Sequence, residues 1–505
     1  MLTMLNSLLN DLAAFATAQQ FTLWLVGGAV RDLLRGQTPT DLDLAVSGDG
    51  FALARAYADL RGAAFVPLDA ERATGRIVTR EETPVTIDIA GLRAHDIEED
   101  LRRRDFTLNA MALPLQTDLL LRIPSAFSAL IDPTNGRDDL RLGVLRPCSQ
   151  DSLRDDPLRI LRAMRLCASL GLRPAPEVAG LMGAAAALLK RVAAERIRDE
   201  LLLLLASRAA APWLRYLDAS GVLTLLIPEL EPARHCEQPR VHFLPVLAHS
   251  LETVAALDWL IVELRRQAGD AEAILQPEEQ PVAVRSHPTL DAQLPYAQQL
   301  SELFAEPRGG VICRVALLKL AALIHDNAKP QTRRSNPDGS VSFHGHQSLG
   351  AEVAQQICRR LRMSRQDTTY LVLLVREHMR PGQLRASGPM TARAMVRLFR
   401  DLDTMVPDLL LHELADHLAT RGPQLSQEGW HAHLAWVAQL LEIAYTPAVE
   451  RQPPLVNGHD LIETLNLTPG PQIGLLLREL AEAQAAGEIS SRAEALDRAR
   501  ARLQA

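Results

Sequence analysis

Aromatic residues make up only 4% of this sequence, and its five cysteines (Cys148, Cys167, Cys236, Cys313, Cys358) are scattered without a C-x-x-C pair. That spacing signals neither a zinc ribbon nor a disulfide framework, so the thiols are expected to be free and buried. No run approaches the ~20 apolar residues of a membrane span. The first residues, MLTMLNSLLNDLAAFATAQQ, carry no basic n-region and no small-residue cleavage site. A cytoplasmic protein with no membrane partner is expected. Basic charge is not in excess either: 54 Lys and Arg stand against 61 Asp and Glu, for a net charge of −7. This argues against broad nonspecific nucleic-acid binding but allows a local basic face.

What is present is aliphatic and helical. Hydrophobic residues reach 47% and charged residues 23% of 505 positions, a length that implies about three domains. From Phe21 to about Ala90 the short runs TLWLVGG, DLDLAV and VTIDIA alternate with helical stretches such as FALARAYADLRG, the rhythm of a small mixed sheet. Beyond Asp151 the runs LRILRAMRLCASLGL and AAERIRDELLLLLAS place apolar residues at three- and four-residue spacing. The segment 267–310 is rich in Pro, Gln and Ala and reads as a mobile insertion within a helical domain. The expected class is α+β: a mixed-sheet head over 1–150, a helical neck and body over 151–235, a helical domain over 236–425 and a helical tail over 426–505.

Two patterns near the start suggest phosphoryl transfer. Leu23 to Val26 reads as a strand that runs through Gly27 and Gly28 into a helix, so free backbone N–H groups face one spot suited to a triphosphate. Arg31 stands one turn in and adds charge. Asp41 and Asp43 then alternate with leucines on a strand and share one face. Two such carboxylates suit magnesium, which clamps the attacking and leaving oxygens of an in-line displacement. Asp88 in TIDIAG is a candidate third acid.

LVGGAVRDLLRG followed by DLDLAV resembles the opening motif of the class II tRNA nucleotidyltransferase and bacterial poly(A) polymerase family, whose head has a polymerase-β-like nucleotidyltransferase fold. Further motifs follow in order: Arg103-Arg104-Asp105-Phe106-Thr107-Leu108-Asn109-Ala110, then Asp132-Pro133 through Gly136 and Asp139, then Glu195-Arg196-Ile197 with Glu200. The resemblance implies that Arg104, Asp105 and Asn109 meet the nucleotide's triphosphate and ribose. Asp155-Asp156-Pro157-Leu158-Arg159 stands where the family has E-D-x-x-R, with Asp155 in place of the usual Glu. Read as residues three apart on one helix, Asp156 and Arg159 share a face. The carboxylate accepts from an exocyclic amine while the guanidinium donates to a ring nitrogen, which matches cytosine and adenine and rejects guanine and uracil. Arg162 and Arg165 continue that stripe towards base or phosphates.

A third constellation lies further on. His325-Asp326 ends the run LLKLAALIHD, in company with His242, His249, His344, His346, His378 and Asp416. The set resembles an HD-domain metal site. By that resemblance His249, His325, Asp326 and Asp416 are first-metal ligands and His346 and His378 serve a second, for a divalent transition metal or Mg²⁺. Asn327-Ala328-Lys329 replaces the more usual Ile-Gly-Lys, and His459-Asp460 has the dipeptide without the company.

The expectation is therefore an enzyme that adds C and A to tRNA 3′ ends from CTP and ATP, releasing pyrophosphate, with no nucleic-acid template. A-only or CC-only addition and poly(A) synthesis use nearly the same motifs, with the choice between C and A expected to depend on a flexible loop near Asp69 to Arg80. A reading from another class, an HD phosphohydrolase with an RNA-binding head, predicts a degenerate head and is opposed by the intact Asp41, Asp43, Asp156 and Arg159.

Overall fold

Acid and leucine alternate in DLDLAV, and the period of two is realised as a strand with Leu42 and Leu44 fully buried and Asp41 exposed. In this computed structural model the described residues are 2–504, apart from 40, 70–72, 81–83, 117, 124, 311, 389 and 447–453. The strands of the main sheet are β1 (Leu23–Val26), β2 (Asp41–Val46), β3 (Ala64–Asp69), β4 (Thr74–Val78), β5 (Thr86–Gly91) and β6 (Ala112–Pro114). They lie in the order β3-β4-β5-β2-β1-β6. Only β2 and β5 pair in parallel, which sets Asp43 opposite Asp88. The sheet is mixed, as expected.

Leu42 and Leu44 share one core with Leu5, Leu9 and Leu12 of the helix Leu2–Ala18 and with Leu53 and Tyr57 of the helix Gly50–Arg61. Helices thus cover the apolar face of β2 and leave its acidic face for chemistry. The loop expected near Asp69 to Arg80 is for the most part a hairpin, because Thr74–Val78 pairs with both β3 and β5; residues 70–72 lie outside the described residues.

By its contacts the chain divides into two compact units, Met1–Glu200 with Leu217–Leu225, and Leu201–Tyr216 with Leu226–Ala505. The helix Arg159–Leu170 therefore belongs to the same unit as the sheet. The second unit is helical around Val246–Gln267, which is buried on nearly all sides, the pattern of a central helix. Its buried Asp258 is neutralised by Lys319, whose Nζ lies 2.7 Å away and also donates to the Ser207 carbonyl.

The segment 267–310, expected as a mobile insertion, forms elements of its own that pack on the helical unit. It carries the short helices Val282–Ser286 and Ala297–Ala305, with Leu294, Leu300 and Phe304 buried. Trp430 donates to the Asp291 carbonyl at 2.6 Å, and the Gln267 side chain bridges Ala292 and Leu294. Its prolines punctuate a packed strap. Residues near the end form a separate small core around Leu461, Ile473 and Leu480. There Asp460 closes a capping box with Asn457 and pairs with Arg492, so the second His-Asp dipeptide caps a helix. No described helix is long and apolar enough to cross a membrane.

Candidate active site and a histidine cluster

The turn after β1 is decided by Gly27. Its φ of 69° is in the left-handed region, and a Cβ there would stand 3.3 Å from Asp43 Oδ2. Glycine lets this turn and the acidic strand meet. The helix Gly28–Leu34 starts at this point, and Arg31 donates to Asn109 Oδ1 at 2.8 Å and to Asp32 at 2.9 Å. Gly27, Gly28, Arg31, Asp41, Asp43, Arg104, Asp105, Asn109, Asp156, Arg159, Arg162 and Arg165 all line one cleft of about 430 Å³. These twelve residues nominated from the sequence are brought together there, whereas Asp88, the candidate third acid, is not among the lining residues.

Charge in the cleft is balanced by position. Burial and the facing Asp88 push the Asp43 carboxyl up, opposed by Arg104 and Arg162. Asp88 is itself held by a two-bond grip from Arg76, both bonds 2.8 Å. Asp105 is buried, which alone would raise its pKa, but Arg162 at 2.8 Å, the Phe106 N–H, Arg159 and Asn109 outweigh burial and hold it below the ordinary value. Arg104 is anchored on Asp100 and Arg165 on Glu200 at 2.7 Å. These ties fix a basic wall opposite the acids.

The pair Asp156 and Arg159 is not arranged as the sequence suggested. Asp156 is extended, with φ −139° and ψ 98°, and caps the short helix Ser152–Asp155; the next helix starts only at Arg159. Pro157 disfavours helical backbone in the residue before it, so the two side chains do not share a helical face. Both still reach the cleft. Asp156 accepts from the Leu158 N–H at 3.2 Å and from Arg196 at 2.8 Å, while Arg159 donates to Ser152 Oγ at 2.8 Å. Arg196 and Arg93 also line the cleft and had been given no role in it. The E-R-I motif contained the signal for Arg196; a lone arginine after β5 offered none.

Comparison with known proteins bears directly on this cleft. The family described as "Poly A polymerase head domain" matches residues 23–146, "Probable RNA and SrmB- binding site of polymerase A" matches 171–234, and "tRNA nucleotidyltransferase domain 2 putative" matches 347–499. An A-adding tRNA nucleotidyltransferase of Deinococcus radiodurans is 38% identical over 481 residues, 93% of each chain. The chain belongs to the class II tRNA nucleotidyltransferase family. A CC-adding tRNA nucleotidyltransferase of Thermus thermophilus is 33% identical over 93% of this chain and 91% of that one. At the level of fold, the Thermotoga maritima CCA-adding enzyme complexed with tRNA matches with a TM-score of 0.58 at 22% identity, covering 98% of this chain and 95% of that one.

The second unit of this nucleotidyltransferase holds a separate cluster of buried histidines and acids. In His325, His346 and His378, Nδ1 lies 2.7 to 2.8 Å from a backbone carbonyl three residues earlier. A carbonyl accepts only, so Nδ1 carries a proton, and in the neutral ring Nε2 presents the lone pair. The Nε2 atoms of His346 and His378 face each other at 3.2 Å, and both lie near Asp326 Oδ1, at 3.3 and 3.6 Å. Asp326 Oδ2 instead faces His325 at 3.1 Å and His249 at 3.7 Å, and His249 Nε2 is 2.9 Å from Asp416 Oδ1. Lone pairs and carboxylate oxygens thus converge on two sides of Asp326. Burial works against charge on Asp326, but His325 and Lys329, at 2.6 Å, hold its carboxyl well below the usual range. All six residues nominated for this site lie in the cluster. A seventh, His412, was missed: its ring centre is 5.0 Å from that of His325. The available signal was its place one helical turn before Asp416.

Proposed function

We propose that this nucleotidyltransferase extends tRNA 3′ ends with cytidine and adenosine, adding CCA or part of it from CTP and ATP. The observation that carries the reading is the meeting, in one cleft, of an acid pair with a carboxylate and guanidinium suited to C and A. The RNA hydroxyl attacks the α-phosphate, and pyrophosphate leaves. Gly27 and Gly28 supply backbone N–H groups to the triphosphate, with Arg31 and Arg104 beside them. Asp105 and Asn109 stand ready for the ribose. Asp156 and Arg159 read the base, and Arg196 steadies Asp156 from the other side. Arg162 and Arg165, tied to Asp105 and Glu200, hold the basic wall in place.

Asp41 and Asp43 would hold magnesium. The donor set fits: both are hard carboxylates on one face of β2, and Asp43 stands opposite a third acid, Asp88. When bound, the ion supplies charge stabilisation on the entering and leaving oxygens.

The names of the two relatives keep A-only and CC-only addition beside complete CCA addition. The test is incubation with tRNAs ending before the first C, after CC and complete, each with a single nucleotide, followed by sequencing of the products. Incorporation of CTP, ATP or both is expected, with UTP and GTP refused. Asp41→Ala should abolish turnover, and Arg159→Ala should relax nucleotide discrimination. No incorporation on any RNA would overturn the reading, and unchanged selectivity in Arg159→Ala would remove the base-reading role.

For the second unit we infer an HD-type divalent metal centre, with His249, His325, Asp326 and Asp416 at one position and His346 and His378 at another. The support is the two-sided placement of Asp326 between lone-pair-bearing imidazoles. Its chemistry would be hydrolysis of a phosphate ester at an RNA end. Metal-dependent phosphate release from 3′-phosphorylated RNA, lost in Asp326→Ala, is the expected result.

A further inference from the structure

We propose that His412 is an additional ligand of this centre, and that it makes the second unit a nitrogen-rich site for a transition metal where the head takes magnesium. The proposal rests on the metal reading of the cluster given above.

His412 lies on the helix Val406–Arg421, one turn before Asp416 and on the same face. Its ring approaches ligands of both positions, with centres 5.0 Å from His325 and 6.1 Å from His378. It is 1% exposed, and neither ring nitrogen has a hydrogen-bond partner. A neutral imidazole always carries one donor and one acceptor, so full burial with both unmet is costly, a cost that a metal bound at the acceptor nitrogen would reduce. Six buried polar atoms of the proposed ligands are likewise without hydrogen bonds, namely His249 Nδ1 and Nε2, His325 Nε2, both Asp326 oxygens and Asp416 Oδ1, as are the neighbouring His242 Nδ1 and Asn327 Oδ1. Unmet nitrogen and carboxylate oxygen atoms gathered in this way are what a divalent metal centre would satisfy.

A core role alone does not account for His412. Leu409, Leu410, Leu411 and Leu414 fill the same helix as apolar residues, and a leucine at 412 would pack without stranding two nitrogens. With His412 the donor set is His249, His325, His346, His378 and His412 against the carboxylates of Asp326 and Asp416. Imidazole-rich sets favour Fe²⁺, Co²⁺, Ni²⁺ or Zn²⁺, whereas Asp41 and Asp43 offer only oxygen and suit Mg²⁺.

The test uses the full chain, stripped with chelator, re-equilibrated with Co²⁺ in the presence of a large excess of Mg²⁺, and desalted. Metal content is measured by mass spectrometry, and the visible Co²⁺ spectrum is recorded. The wild type is expected to retain cobalt. His412→Phe should bind it at least tenfold more weakly or with fewer equivalents, with a shifted spectrum and unchanged nucleotide incorporation. His412→Gln, smaller and polar, is measured in parallel and read the same way if the phenylalanine variant does not fold. Wild-type retention with the same stoichiometry, affinity and spectrum in a folded variant would make His412 a core histidine and overturn the proposal. A wild type that retains no transition metal overturns the metal reading of the whole cluster, and this proposal with it.

Discussion

Gly27 shows how much of this site depends on a single missing atom. The left-handed φ and the 3.3 Å approach of Asp43 Oδ2 both demand glycine. In Gly27→Ala the backbone strain is about 1 to 3 kcal/mol, and the new methyl group presses on Asp43, the carboxylate proposed to hold magnesium. The expected outcome is a loss of at least about tenfold in kcat for nucleotide addition, with a Tm only a few degrees lower, checked by single-nucleotide incorporation and thermal denaturation. Asp41, Asp43, Arg104 and Asp105 were legible from the sequence because strand alternation and motif order fix which way they face. Arg93 and His412 were not, since each depends on what the fold brings near it.

At the scale of elements, the central helix of the second unit carries a charge that only a distant partner makes tolerable. Asp258 is fully buried; burial pushes its carboxyl up, while Lys319 and the Ala211 N–H oppose the shift. Lys319→Met should leave an unpaired buried carboxylate and cost about 3 to 5 kcal/mol in urea denaturation. The double change Lys319→Met with Asp258→Leu should recover part of this, though not all, because the Ala211 N–H loses its acceptor. Elements also mark where sequence patterns mislead. Pro157 ends the helical reading of Asp156 and Arg159 but leaves both at the cleft, and the prolines of 267–310 punctuate short helices that bury Ala283, Val284, Leu300 and Phe304. Composition reports turns, and tertiary packing decides whether those turns are loops or straps.

For the whole molecule, stability should depend on acid through the second unit's histidines. Burial, then the charges of His433 and Arg385, pushes His417 down to about 3. His433 is likewise pushed down to about 3, by burial and then Arg385. A histidine depressed in the folded state takes up its proton first in the unfolded chain, so stability is lost as pH falls from about 6.5 towards 3. Urea denaturation followed by tryptophan fluorescence should show this slope, and His417→Gln, which removes a ring stacked on Trp430, should make it shallower. By itself the sequence determined the mixed sheet, the acidic strand, the order of motifs and hence the family's chemistry, because these follow from local periodicity and short-range spacing. Only the tertiary structure decided that Asp156 is braced by Arg196 rather than by its helix, that Asp326 stands between two groups of imidazoles, and that His412 joins them. Those facts depend on contacts between residues 34 to 77 positions apart, which are set by packing and have no local signature.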